Sequence, residues 1–369
     1  VPSRRPVAPA LLERLTAPGP VADVDGWSET AAVGFDALVP VVAEVLDPPV
    51  VSAERAISFV LHAPLELLAR ISLHRRLRAA GALDEGTAHK ASLRLVSLAA
   101  RYSARVGYAP DVVVADPAPT LAALAERTVD ATAAAGHGNI YVHLRRAVPT
   151  DDLAPMTRGL ERELDAFPEP AIEFVKASSA SSVAAAVGDL PRIGEPPGWG
   201  IAALVAHART GATPELARLA ATVAQSEAGR RDLLRCAAGM MVVGADATVP
   251  YGWTHALTLA QGALGVEPLV SRPARATTAA AVHAGSFWAA HGDGPLPLLP
   301  AEAEPGWWHD PARRALAAHD AHLVKYTLAC VELAALDPAA SGLYDAASRR
   351  LHSWWDEHPP ADDPLARSV

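Results

Sequence analysis

SAERAISFVLHAPLELLARISLHRRLRAAGAL, residues 52–83, decides the fold class. Apolar side chains recur at Ile57, Val60, Leu61, Leu65, Leu68 and Ile71, the three-and-four spacing that lines one face of a helix. Strict alternation, which would mark a half-buried strand, is missing. The same period runs through HKASLRLVSLAARYSARVG (89–107), APTLAALAERTVDATAAAG (118–136) and TPELARLAATVAQSEAGRRDLLRCAAGMMVVGA (213–245). It returns in ARATTAAAVHAGSFWAAHG (274–292) and DPARRALAAHDAHLVKYTLACVELAALDP (310–338). Gly81, Gly107, Gly136, Gly211, Gly265 and Gly292 punctuate these runs, and Asp116-Pro117 and Thr213-Pro214 read as helix starts. The expectation is an all-α, multi-helix globular bundle of about a dozen helices. DVVVA (111–115) is the best local exception, but no βαβ alternation surrounds it.

DLPRIGEPPGWG (189–200) and GDGPLPLLPAEAEPGWW (292–308) have no helical period and read as loops. The first divides the chain into an N-terminal helical half, 1–190, and a C-terminal half, 191–369, which can equally form one continuous domain.

Composition narrows the function. Half the residues are hydrophobic, enough for a sizeable core, and the net charge of −9 argues against a nucleic-acid surface. No window carries the ~20 apolar residues of a membrane span, and no signal-peptide core follows the first arginines. A soluble, cytoplasmic protein with a small-molecule substrate is expected; the sequence leaves the oligomeric state open. Cys236 and Cys330 lie in apolar helical text and read as buried free thiols. P-loop, GxGxxG, HExxH, CxxC and GxSxG patterns are absent, so no nucleotide fingerprint or nucleophile elbow is present.

What remains is histidine: fourteen, against three lysines. Imidazole both ligates metals and moves protons near neutral pH. His62, His143, His255, His319 and His322 fall in or beside apolar helical text and form the candidate metal set. His319 and His322 are spaced to share one helix face, with Asp320 available to support a neighbour and Lys325 and Tyr326 a turn later. His255 follows Tyr251, Gly252 and Trp253, the composition of a pocket wall or of a packed corner. His62 lies before a helix that Pro64 can open and has Glu66 one turn on, a spacing that suits a ligand pair or simple helix stabilisation. His137 and His143 bracket GHGNIYVHL, where Gly136 and Gly138 fit either a ligand approach or a helix C-cap. His283 reads as packing and His207 as a helix-end residue. His74, His89, His291, His309, His352 and His358 sit among polar residues or at element ends, and most are expected to be solvated. The candidate catalytic set is His322, His255, Lys325 and Tyr251.

The text HDAHLVKYTLACVELA (319–334) resembles the closing helix of the questin-oxidase-like family, where a histidine followed by x-x-Lys lies in an apolar helix. His322 and Lys325 are the matching positions, and FVLHAPLELL (59–68) and PYGWTHALTLAQ (250–261) are loosely similar to that family's internal histidine segments. The resemblance implies an oxygenase that tailors natural products of the anthraquinone or polyketide type. The expected activity is therefore an oxidoreductase on a small aromatic molecule, with iron as cofactor; zinc or no metal are the alternatives. A metal-dependent hydrolase or lyase using the same histidines, or a non-catalytic helical binding or scaffold protein, are the competing readings.

Overall fold

The computed structural model describes residues 9–16, 24–46, 53–106, 177–194, 196–197, 201–244, 250–297 and 302–360. Of these, 79% are helical and none is in a strand, as the periodicity predicts. DVVVA (111–115) and the His137–His143 stretch lie outside the described residues.

Among the described residues, five helices precede residue 107: α1 (Pro9–Thr16), α2 (Val24–Ala31), α3 (Phe35–Val45), α4 (Ala53–Ala79) and α5 (Glu85–Val106). Nine follow residue 177: α6 (Val183–Gly188), α7 (Ile201–Gly211), α8 (Thr213–Val223), α9 (Glu227–Val243), α10 (Pro250–Val266), α11 (Pro273–His291), α12 (His309–Ala317), α13 (Ala321–Leu336) and α14 (Ser341–Glu357). Local chemistry sets their ends. Ser182 and Ser226 cap α6 and α9 by accepting the N–H of Ala185 and Gly229. Gly81, at φ +65°, stops α4; Ala82 N–H then returns to the Leu77 carbonyl at 2.9 Å, closing the turn. Contrary to the sequence reading, no helix opens at Pro64: α4 runs through it and packs on α5, α12 and α13.

Two apolar cores result. One gathers α6–α11 with α13 and α14, around α11, whose residues from Ala276 to Ala289 are buried on nearly every side. Gly285 allows this density, because a Cβ there would meet Leu216 Cδ2 at 2.7 Å and Leu219 Cδ2 at 3.0 Å. The second core joins α1–α5 to α12 and α13. Helix α13 belongs to both: Leu323, Tyr326, Cys330 and Leu333 face the first, Val324, Leu328 and Val331 the second. Full burial of such a side chain contributes about 1.5–3 kcal/mol, so α13 is a principal tie between the two. The N-terminal helices thus complete their core with residues 312–331.

Both cysteines are buried and free, and burial pushes the Cys236 thiol up to about 12. No described helix is long and apolar enough to cross a membrane.

Candidate functional site

The site forms where α10 meets the start of α13. Pro250 opens α10, and His255 follows in its second turn, with only 8% of its surface exposed. His322 occupies the first turn of α13, its side chain 16% exposed. The two imidazoles, 67 residues apart in the chain, have ring centroids 5.1 Å apart and planes at 65°. Phe287 of α11 lies nearly parallel to the His255 ring, centroids 6.3 Å apart.

Asp320 serves both the backbone and the site. Its Oδ1 accepts the Leu323 N–H at 2.8 Å, capping α13, while Oδ2 stands 3.6 Å from His322 Nδ1. Burial opposes the charge of Asp320, but the neighbouring His322, the cap hydrogen bond and Lys325 together hold its carboxyl below the usual range. Burial pushes His322 down, and Lys325, itself 2% exposed, pushes in the same direction against the pull of Asp320. These influences favour the neutral imidazole of His322, with the Asp320 carboxylate 3.6 Å from its Nδ1.

His319 departs from the sequence expectation. It does not share a helix face with His322, because α12 ends at Ala317 and α13 starts only at Ala321. Asp320 as a cap fixes that start. His319 is buried, 7% exposed, and its Nδ1 lies 3.4 Å from Arg94 Nη1.

Two buried arginines hold this break. Arg70 of α4 is fully buried and donates to the carbonyls of Leu316 and Ala318, both at 2.7 Å, while Nε and Nη2 bind Glu66 Oε1 at 2.9 and 2.6 Å. Arg94 of α5 donates through Nε to the Ala317 carbonyl at 2.7 Å. The last carbonyls of a helix have no intrahelical partner, so the guanidinium forks act here as C-caps contributed by other helices. Arg101 stands 3.9 Å from the remaining Glu66 oxygen. Glu66 is therefore an arginine partner, whatever its spacing from His62. The sequence reading missed Arg70, Arg94 and the arginine role of Glu66; the available signal was charge on the apolar faces of LELLARISL and SLRLVSLAA.

Other candidates are distributed elsewhere. His143 lies outside the described residues, as do the side chains of His62 and Tyr251. Among the described residues no group of three or more His, Cys, Asp and Glu is arranged to hold a metal. His283 is buried in α11, as expected for packing. His207 Nε2 contacts the Ile193 carbonyl at 3.0 Å.

Two histidines expected in solvent are buried. His74 stacks on Phe35 at 3.9 Å, and His352 meets Thr327 Oγ1 at 2.9 Å, because helical spacing turns each inward despite polar neighbours in sequence. An open depression of about 510 Å³ lies by His74, between the α2–α3 corner and α5; neither His255 nor His322 lines it. The site chemistry is placed by the side chains rather than by that hollow.

No protein-family model matches this chain, and no curated protein or solved structure matches it.

Proposed function

We propose that this chain is an oxidoreductase of the oxygenase type, acting on a small phenolic aromatic or polyketide-like molecule at the His255–His322 pair. One observation carries the reading: two imidazoles from separate helices meet at 5.1 Å in an apolar interior, and one of them is backed by a carboxylate. Structural histidines are more often satisfied singly by a backbone or hydroxyl partner, as His352 is by Thr327. The resemblance of HDAHLVKYTLACVELA to the questin-oxidase-like family supports the same assignment.

The donors suit iron in kind, since imidazole is a common ligand and a carboxylate behind Nδ1 orients the ring and raises its basicity. His255 and His322 would hold the metal, and bound iron would supply dioxygen activation. The protein's own groups have separate tasks. His322, with Asp320 3.6 Å from its Nδ1, would help to hold iron or, without metal, act as general base toward a phenolic proton. Lys325 supplies a positive charge beside the site that favours a phenolate. Phe287 provides an aromatic face against His255.

The test is metal analysis of the purified protein together with dioxygen uptake in the presence of 1,8-dihydroxyanthraquinone. Stoichiometric iron and uptake that is lost in His322→Gln are the expected results. Stoichiometric zinc without uptake would replace this reading with the hydrolase or lyase.

A further inference from the structure

The hollow between the α2–α3 corner and α5 has the size of a small-molecule pocket, about 510 Å³. Ala31, Val33, Ala37 and Ala88 give it an apolar wall. Helix α3 starts there without a side-chain cap. Its N-cap, Gly34, has φ +89° and ψ 156°, a conformation that excludes the serine, threonine or aspartate usual at that position. Four N–H groups at a helix start have no intrahelical partner. That of Gly34 donates to the Ala31 carbonyl at 3.0 Å. Among the described residues, no acceptor meets those of Phe35, Asp36 and Ala37, and all three residues line the hollow.

His74 is an independent sign of a ligand. It lines the hollow from α4, only 4% exposed, with its ring stacked on Phe35 at 3.9 Å between centroids. Its Nδ1 is buried without a hydrogen-bond partner, and among the described residues none meets its other ring nitrogen. A neutral imidazole carries one N–H and one lone pair, and buried polar groups left unmet are both costly and rare. The charges that act on this ring are Asp36, Arg78 and Arg75, so the surrounding field is net positive. The Asp36 carboxylate itself accepts from Arg78 Nη1 at 2.5 Å.

We propose that this hollow binds a small monocarboxylate, its charged end held by the free N–H groups that open α3 and by the His74 imidazole, its body against the alanine-rich wall. Peptide N–H groups and the positive end of the helix dipole together favour an anion at this position. A single negative charge suits it better than a phosphate dianion, because Asp36 already places one carboxylate in the same turn. Neither His255 nor His322 lines the hollow, so the proposal does not rest on the oxygenase reading.

Benzoate is the probe, titrated into the full ¹⁵N-labelled chain at neutral pH. The amide signals of Phe35, Asp36 and Ala37 and the ring signals of His74 should shift together and saturate. Benzamide, its neutral counterpart of the same shape, should bind about tenfold more weakly, the scale of a charge-assisted hydrogen bond lost. Inorganic phosphate should not displace benzoate. Saturating shifts only at other residues, equal affinity for benzoate and benzamide, or displacement by phosphate would each overturn the proposal, as would no binding at all.

Two variants test the residues. His74→Phe keeps a ring against Phe35 but removes both nitrogens, and should weaken benzoate binding by about tenfold without lowering the melting temperature. Ala88→Phe, at a half-buried position on α5, fills the hollow and should abolish binding. Unchanged affinity in either folded variant would refute the site. Should His74→Phe not fold, the ring shifts of the unmutated protein and Ala88→Phe decide.

Discussion

Replacing His322 with alanine separates chemistry from packing. Activity per folded molecule should fall by ~10²–10⁴, the usual loss for an acid–base group, with the far-UV helical signal unchanged. Near-normal turnover would reduce His322 to a buried packing residue. His352 makes the opposite prediction. Its Nε2 faces Thr327 Oγ1, whose hydroxyl donates to the Leu323 carbonyl, so the histidine is the donor. Burial, with Arg314 next, lowers it from 6.5 to about 3. The unfolded chain binds this proton below pH 6.5 and the folded chain does not until about pH 3, so its stabilisation is complete above 6.5 and is lost as pH falls through that window. Across the window the loss is on the order of 3–5 kcal/mol. Thermal melts at pH 7, 5 and 4 should therefore decline steadily, and His352→Gln should flatten the decline. At this scale the sequence told half the story. His255 and His322 were legible because polar rings stood in apolar helical text. Arg70 and Arg94 were not, because a lone arginine on a helix looks alike whether it reaches solvent or a distant carbonyl.

Helix α13 shows what a single cap does. Asp320→Ala removes the acceptor for the Leu323 N–H and the charge beside His322, and should cost about 1–2 kcal/mol in urea melts. Asp320→Asn keeps a capping oxygen, so it should recover most of that stability while still impairing any activity that depends on the polarity of His322. Equal stability losses in the two variants would mean that charge, not capping, stabilises this turn. The helices themselves were readable, since the 3.6-residue period fixes both their existence and their inner faces. Their boundaries were less so. Pro64 lies inside α4 because packing from Ala63 to Leu77 holds that helix, and the 310–338 run breaks between Ala317 and Ala321 because Asp320 and the two arginines satisfy the freed backbone groups. Neither partner is visible in a local window.

Because α13 lies in both cores, they should melt together. Leu328→Ala, which empties a fully buried position on the N-terminal side, should destabilise by about 2–5 kcal/mol. Single-tryptophan variants retaining Trp27, in one core, or Trp288, in the other, should report one coincident transition. Separate midpoints would show that α13 does not couple them.

The Arg70 clamp also bears on how the protein is made. Its carbonyl partners at Leu316 and Ala318 lie 246 and 248 residues downstream. At roughly 5–20 residues per second, a ribosome places these partners roughly 12–50 s after it has added Arg70. For that interval the nascent N-terminal helices carry a guanidinium without its carbonyl acceptors and an apolar face not yet covered by α12 and α13. Ribosome-bound chains halted before α12 should recruit chaperones and be readily cleaved by protease, whereas those extended past α13 should resist it.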